Sequence, residues 1–168
     1  SKTVTLAPGQ TTAICTLQTT GVIRAIRARV RSNQRYAWRK LVLRGQWDEA
    51  AWPQVLTPLG PFFGFDWETA EYGSVIAGCQ GGQAYQYYPM PFRKSANLSL
   101  QSYLEQPATV EVEIEWAPLA QWPENSVYFF ARWRHEPDST TFDYPFLETA
   151  GHGHFVGAQE GGVVPAEF

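Results

Sequence analysis

Strict alternation of apolar and charged residues in two widely separated stretches constrains this chain more than any other feature. From Val22 to Arg31, Ile26, Ala28 and Val30 fall on one side of an extended chain, and Arg27, Arg29 and Arg31 on the other. Thr109 to Trp116 repeats the pattern, with Val110, Val112, Ile114 and Trp116 opposing Glu111, Glu113 and Glu115. Successive side chains of a strand point to opposite faces, so this period of two marks a sheet with one face buried. No stretch keeps an apolar period of 3.6 with helix caps, and the chain reads as all-β. Further strands are expected at Thr3–Leu6, Ala13–Leu17, Lys40–Leu43, Gln83–Tyr88, Asn97–Leu100, Ser126–Arg134 and Gly153–Val156, with a short helical turn near Ala70 to Ile76. Prolines and glycines punctuate the intervals. About eight or nine short strands with uneven loops predict a two-sheet β-sandwich of the jelly-roll type. A chain of 168 residues suits one such domain over 1–168, closed by an extended Gly-rich tail over 158–168 that would dock on a neighbour.

The charge is distributed unevenly. Residues 1 to 47 hold nine Lys or Arg and no acid, whereas residues 48 to 168 hold four basic and sixteen acidic residues, so the two parts carry +9 and −12. Such asymmetry raises nucleic-acid binding, but no reader motif accompanies the basic run, and pairing of basic strands with acidic ones, within a sheet or across a subunit interface, accounts for it more simply. No apolar run approaches the roughly 20 residues of a spanning helix. The first residues, SKTVTLAPGQTT, lack the apolar centre of a signal peptide, and the compartment stays open. Cys15 and Cys79 are expected as two buried free thiols.

The chemistry concentrates in LRGQWDEAAWPQVLTPLGPFFG, Leu43 to Gly64, and in the YYPMPFRKS segment that begins at Tyr87. Trp47 beside Asp48 and Glu49, and Trp67 between Asp66 and Glu68, set flat apolar rings next to hydrogen-bond acceptors. Sugars ask for that combination, because their C–H faces stack on an indole while their hydroxyls seek carboxylates. An aromatic core with surface acids produces the same pattern. Asp48/Glu49 and Asp66/Glu68 are the acid pairs available for glycoside hydrolysis, which needs two carboxyls about 5 Å apart for retention and more for inversion. His152 and His154 share a strand face and raise a cupin-like metal site, but a third ligand at set spacing is missing: His135 precedes the pair, and Glu160 does not complete it. No nucleophile elbow, phosphate loop or dinucleotide fingerprint occurs, and no cofactor is indicated.

Four blocks in order, LRGQWDEAAWPQVLTPLG-x-FFG, YPMPFRKSANLSL, YFFARWRHEP and FDYPFLETAGHGHFVG, resemble the first half of a bacterial glycoside hydrolase family long catalogued as a domain of unknown function. The resemblance runs from Gly21 to Gly157. It implies two consecutive jelly rolls per subunit, capsid-like trimers or hexamers, and retaining hydrolysis of α-D-fructofuranosides, difructose dianhydride or D-arabinofuranosides by a glutamate nucleophile and a glutamate acid/base. The family's catalytic glutamates belong to second-roll motifs resembling GEGD and GTGTEDY, and no segment here matches either. Pro61 stands where the family usually has aspartate. Trp47, Asp48, Phe63, Arg93 and Trp133 stand at matching positions and are the candidate substrate-binding residues; catalytic and metal-binding positions are not assigned. Trp47, Asp48 and Arg93 are expected to converge at one end of the sandwich. The alternative is that Arg93 pairs with Asp48 to brace two loops while Trp47 fills the core.

The functional expectation is a jelly-roll component of a furanoside-acting assembly that partners itself or a second roll. A non-catalytic carbohydrate-binding or self-assembling module is the alternative.

Overall fold

A computed structural model describes residues 1–66, 71–135 and 147–159. Among them the strands are β1 (Lys2–Leu6), β2 (Thr11–Leu17), β3 (Gly21–Arg31), β4 (Leu41–Trp47), β5 (Val55–Pro58), β6 (Tyr72–Gly73), β7 (Ala77–Gln80), β8 (Gln83–Gln86), β9 (Met90–Phe92), β10 (Ala96–Ser102), β11 (Ala108–Pro118) and β12 (Ala131–Arg132). Two single helical turns, α1 (Ala37–Lys40) and α2 (Leu59–Phe62), flank the first and last residues of the β4–β5 hairpin.

One sheet runs β1-β11-β3-β8-β7-β6, with β9 also pairing β3, and the other runs β12-β5-β4-β10-β2. The antiparallel pairs nest: β1 with β11, β2 with β10, β3 with β8, and β4 with β5. A long hairpin folded over on itself in this way gives the two Greek keys of a jelly roll, the architecture expected from the sequence. Alternation drives it. β4 and β10 each bury every second residue, so Leu41, Leu43, Trp47, Ala96, Leu98 and Leu100 meet Leu6, Ile23, Ile26 and Val110 of the facing sheet.

The basic and acidic strands lie side by side. Register sets Arg29 opposite Glu111 and Arg27 opposite Glu113, and the guanidinium of Arg27 reaches Glu113 at 3.0 Å while that of Arg31 reaches Glu111 diagonally at 2.7 Å. Charge asymmetry along the chain is thus partly cancelled inside one sheet. Lys2 at the open edge of the first sheet donates its Nζ to the Ala13 carbonyl of β2 at 2.6 Å, bridging the two sheets.

Several expected elements differ. Ser126–Arg134 contributes only β12, a short parallel addition beside β5, because the carbonyl of Phe129 is taken by a side chain rather than by a strand. Gly153–Val156 forms no strand, being exposed chain whose Val156 carbonyl accepts the Tyr88 hydroxyl at 2.7 Å. In the region expected to be helical, residues 71–76 hold β6 and a bend organised by the Ser74 hydroxyl, which accepts the N–H groups of Ile76 and Ala77. Pro61 sits within the first turn of α2, where the missing N–H has no intrahelical partner to lose. Both cysteines are free, but Cys15 on the edge strand β2 is only half-buried, and burial raises the thiol pKa of each. Most of the 158–168 tail lies outside the described residues.

Candidate functional site

Where β4 ends, the chain turns through two left-handed residues, Asp48 at φ 53° and Glu49 at φ 58°. Aspartate tolerates this conformation better than most residues, and here the turn aims its carboxylate at the chain entering β10. Asp48 Oδ1 accepts the backbone N–H groups of Arg93 at 3.0 Å, Lys94 at 2.6 Å and Ser95 at 3.0 Å, and Oδ2 accepts that of Arg93 at 3.1 Å and the hydroxyl of Tyr128. The return contact runs from the Asp48 N–H to the Ser95 carbonyl at 3.0 Å. Burial raises the Asp48 pKa, but the Tyr128 hydroxyl and the three backbone donors outweigh it and hold the carboxyl below its ordinary value. Burial, followed by the bond to Asp48, pushes the Tyr128 phenol up to about 12. Both oxygens of Asp48 are therefore committed, and proton transfer or nucleophilic attack by this group would first require the clamp to open.

The remainder of the turn is braced from within. Gln54 accepts the Trp47 N–H at 3.0 Å and returns its amide to the Trp47 carbonyl at 3.4 Å, Ala50 N–H donates to Trp47 at 3.1 Å, and the Gln46 amide donates to the Ala50 carbonyl. Trp47 itself is wholly enclosed, and its indole N–H donates to the Phe129 carbonyl at 2.8 Å. That corrects the expected stacking role, because no face of the ring reaches solvent. Trp47, Asp48 and Arg93 do come together at one end of the sandwich. The join, however, is made by Arg93 backbone, and its side chain stays exposed.

Phe63 and Trp133 lie at the other end. The β4–β5 register pairs Gly45 with Val55 and Val42 with Pro58, so α2 follows at the far end of β4, and β12 runs parallel to β5 in the same direction. Seven residues of strand separate the two ends by roughly 20 Å. Phe63, expected at the ligand, is also fully enclosed; it packs edge-on against Trp38 at 6.1 Å, with its carbonyl accepting the Tyr72 hydroxyl. Trp133 keeps 40% of its surface exposed, under the Arg39 guanidinium at 5.1 Å and parallel to His135 at 5.7 Å. Asp66 is paired with Arg39, while Trp67 and Glu68 lie outside the described residues.

Of the candidate acids, Asp48 is taken up by backbone and phenol donors and Asp66 by Arg39. A shallow cleft of about 290 Å³ between Arg29, Arg31, Gln34, Trp38 and Gly82 has no carboxylate in its lining. Its two arginines donate to the Gly81 carbonyl at 2.7 Å and to Glu111 at 2.7 Å. His152 and His154 are exposed on irregular chain, and the described residues hold no group of three side chains suited to a metal ion; Glu160 lies outside them. No helix among the described residues is long and apolar enough to cross a membrane. The aromatic that sequence reasoning passed over is Trp52, 77% exposed at the tip of the braced turn. Its neighbours Ala50, Ala51 and Pro53, too small or too rigid to bury it, were the available signal.

The nested strand order defines a jelly-roll domain. A family model described as GH172 domain-like matches residues 1–114, from β1 into β11, and the chain belongs to that family. It is accordingly a glycoside hydrolase-related domain. No curated protein matches the chain. The first two sequence blocks fall inside the matched residues, and Trp133 falls outside them.

Proposed function

We propose that the chain is the jelly-roll component of a furanoside-acting, glycoside hydrolase-like assembly whose reacting carboxyl pair is supplied by another roll. One observation carries this reading: family membership coincides with a chain whose best-placed acids are already committed, Asp48 to four donors and Asp66 to Arg39. Retaining hydrolysis needs one carboxylate free to attack and one carboxyl free to give up a proton. Of the five candidate binding residues, Arg93 and Trp133 have accessible side chains and are the two able to touch a sugar; Trp47, Asp48 and Phe63 act by holding the loops that present it.

The test is turnover of aryl α-D-fructofuranosides and aryl D-arabinofuranosides. The isolated chain should show none above the buffer rate, and activity should appear when a second-roll partner carrying a glutamate pair is supplied. Robust hydrolysis by the chain alone would sink the proposal.

A self-assembling or sugar-binding module without catalysis is the second reading. It draws support from the apolar side chains along the last third of the chain, where Phe130, Leu147, Phe155 and Val156 are each more than half exposed. Such a string of isolated apolar contacts suits an arm lying on a neighbouring subunit, as trimers or hexamers of this chain would provide.

A further inference from the structure

We infer that the cleft between the end of β3 and the β7–β8 turn binds the phosphate group of a small molecule, gripped by Arg29 and Arg31. The inference is independent of the carbohydrate reading. Gly21, at the start of β3, pairs with Phe92 beside the Asp48 clamp, so Arg31 at the last position of that strand lies at the opposite end of the sandwich. Arg29 and Arg31 stand on one face of β3, roughly 7 Å apart along the strand. Register sets Glu111 opposite Arg29 and Thr109 opposite Arg31. The acid is nevertheless taken diagonally by Arg31 at 2.7 Å. Half-buried Arg29 is left with a neutral acceptor, the Gly81 carbonyl at 2.7 Å, and among the described residues it makes no ion pair.

The side chains lining the cleft offer donors and withhold acceptors. The Gln34 carbonyl already accepts the N–H groups of Glu105 at 2.9 Å and Gln106 at 3.1 Å, and the Ser32 hydroxyl oxygen accepts the Gln34 N–H at 3.2 Å. A guanidinium carries only donors, and each of these two spends one nitrogen on the bonds just given, leaving the others for a ligand. A neutral sugar needs acceptors as well as donors, whereas a phosphate group only accepts and fits the planar fork of an arginine. Two cations also match the charge of a phosphate monoester better than that of a lone carboxylate. Glu71, whose carboxylate accepts the Gly81 N–H at 3.1 Å, is not in the lining. Room beside Arg29 is kept by Gly82, at a left-handed φ of 71°, since a Cβ there would stand 3.2 Å from Nη1 of Arg29. Trp38, packed on Phe63 and Phe65, supplies a fixed wall. The volume of about 290 Å³ is at the lower end for small-molecule sites, so it holds a phosphate with a short organic group and not an oligosaccharide.

The full chain is titrated calorimetrically, at constant ionic strength, with inorganic phosphate, phenyl phosphate, benzyl alcohol as the neutral control and a short oligothymidylate, alongside Arg29→Gln, Arg31→Gln and Arg24→Gln. Arg24 is exposed on the same strand outside the cleft, so its replacement makes the same change in net charge. The parent should bind phenyl phosphate with a Kd of about 1 mM or below and ignore benzyl alcohol. Arg29→Gln should weaken binding about tenfold or more and Arg31→Gln about threefold to tenfold, with Arg24→Gln unchanged. Arg31 is 65% exposed, so its variant keeps the test open should Arg29→Gln fold poorly. Phenyl phosphate binding more tightly than phosphate identifies an esterified ligand, and equal affinities identify the free ion; either upholds the site. A parent that binds neither at about 10 mM overturns the inference. Equal losses in all three variants reduce the effect to diffuse charge and also overturn it. An oligothymidylate that binds where both small phosphates fail makes the cleft a nucleic-acid contact and defeats it as well.

Discussion

The Asp48 carboxylate and the Tyr128 hydroxyl meet across 80 residues of sequence, joining the β4–β5 turn to the strap that follows β11. The contact crosses the end of the family match at residue 114. Two more bonds cross it nearby, from the Trp47 indole to Phe129 and from Ala131 to Gln54. The strap is therefore part of the roll's own structure.

Asp48→Asn should lower stability by about 1–2 kcal/mol, since it removes the charge from a carboxylate that serves three backbone donors and a phenol, and Tyr128→Phe by about 1 kcal/mol. The pH dependence has a definite sign. Asp48 is held below the ordinary value of 3.8, so the unfolded chain takes up its proton first as the solution is acidified. Its contribution is whole above about pH 4 and drains away as pH falls through the folded value. Denaturant melts at pH 7 and between pH 4 and pH 2.5 should show the difference between parent and Asp48→Asn shrinking with acidity; a constant difference would refute the assignment.

On the alkaline side, Tyr128 is raised from 10.0 to about 12. Its contribution is complete below pH 10 and is lost as pH rises through 12. Burial raises Tyr72 as well, so absorbance titration of the phenolates should show late-ionising tyrosines in the parent, one of which ionises earlier in Asp48→Asn. Unchanged titration in the variant would mean that Asp48 does not hold the proton.

Trp47→Ala should cost roughly 3–5 kcal/mol, as expected for a large aromatic removed from a closed site. Sugar affinity of whatever protein remains folded at low temperature should change little. The reverse outcome, an unshifted melting temperature with lost affinity, would return Trp47 to the ligand.

Much of the fold was legible because burial writes itself as period two: β3, β10 and β11 were readable from Val22–Arg31, Asn97–Leu100 and Thr109–Trp116. Pairing of Arg27 with Glu113 was likewise foreshadowed by the opposed charge patterns. Short strands carried too little pattern. Val55–Pro58 ends in a buried proline and Ala77–Gln80 contains glycine and cysteine, so neither resembles an alternating strand. The meeting of Trp47, Asp48 and Arg93 was legible as a location and not in its details. Adjacent residues on an extended chain face opposite ways, so Trp47 and Asp48 could not both present themselves outward from β4; which of Trp47 and Trp52 is enclosed depends on the left-handed turn at 48–49 and on Phe129, far along the chain.

Gly45→Ala is expected to destabilise by about 1–3 kcal/mol through overpacking. A Cβ at this position would lie 2.9 Å from the Cβ of Val55 and 3.0 Å from Cδ2 of Leu98, on the two strands that flank β4. Pairing Gly45→Ala with Leu98→Ala, which removes the Cδ2 atom, should recover part of the loss, measured as non-additivity of the melts. Strict additivity would place the strain elsewhere.

Self-association is the remaining expectation, and the ion pairs inside the first sheet bear on how salt would affect it. Had the basic first quarter met an acidic surface on another copy, added salt would weaken assembly appreciably. Instead Arg27 and Arg31 are paired within the sheet to Glu113 and Glu111, and exposed pairs of this kind contribute only about 0–1 kcal/mol each. Exposed apolar side chains of the last third, including Leu147, Phe155 and Val156, are available to drive assembly. Association at micromolar concentration should therefore persist from 50 to about 500 mM salt and respond instead to Phe155→Ser with Val156→Ser. Light scattering that reports a monomer at every salt concentration would remove the assembly reading. An oligomer that dissolves in salt yet ignores the two serine substitutions would return the interface to the charges.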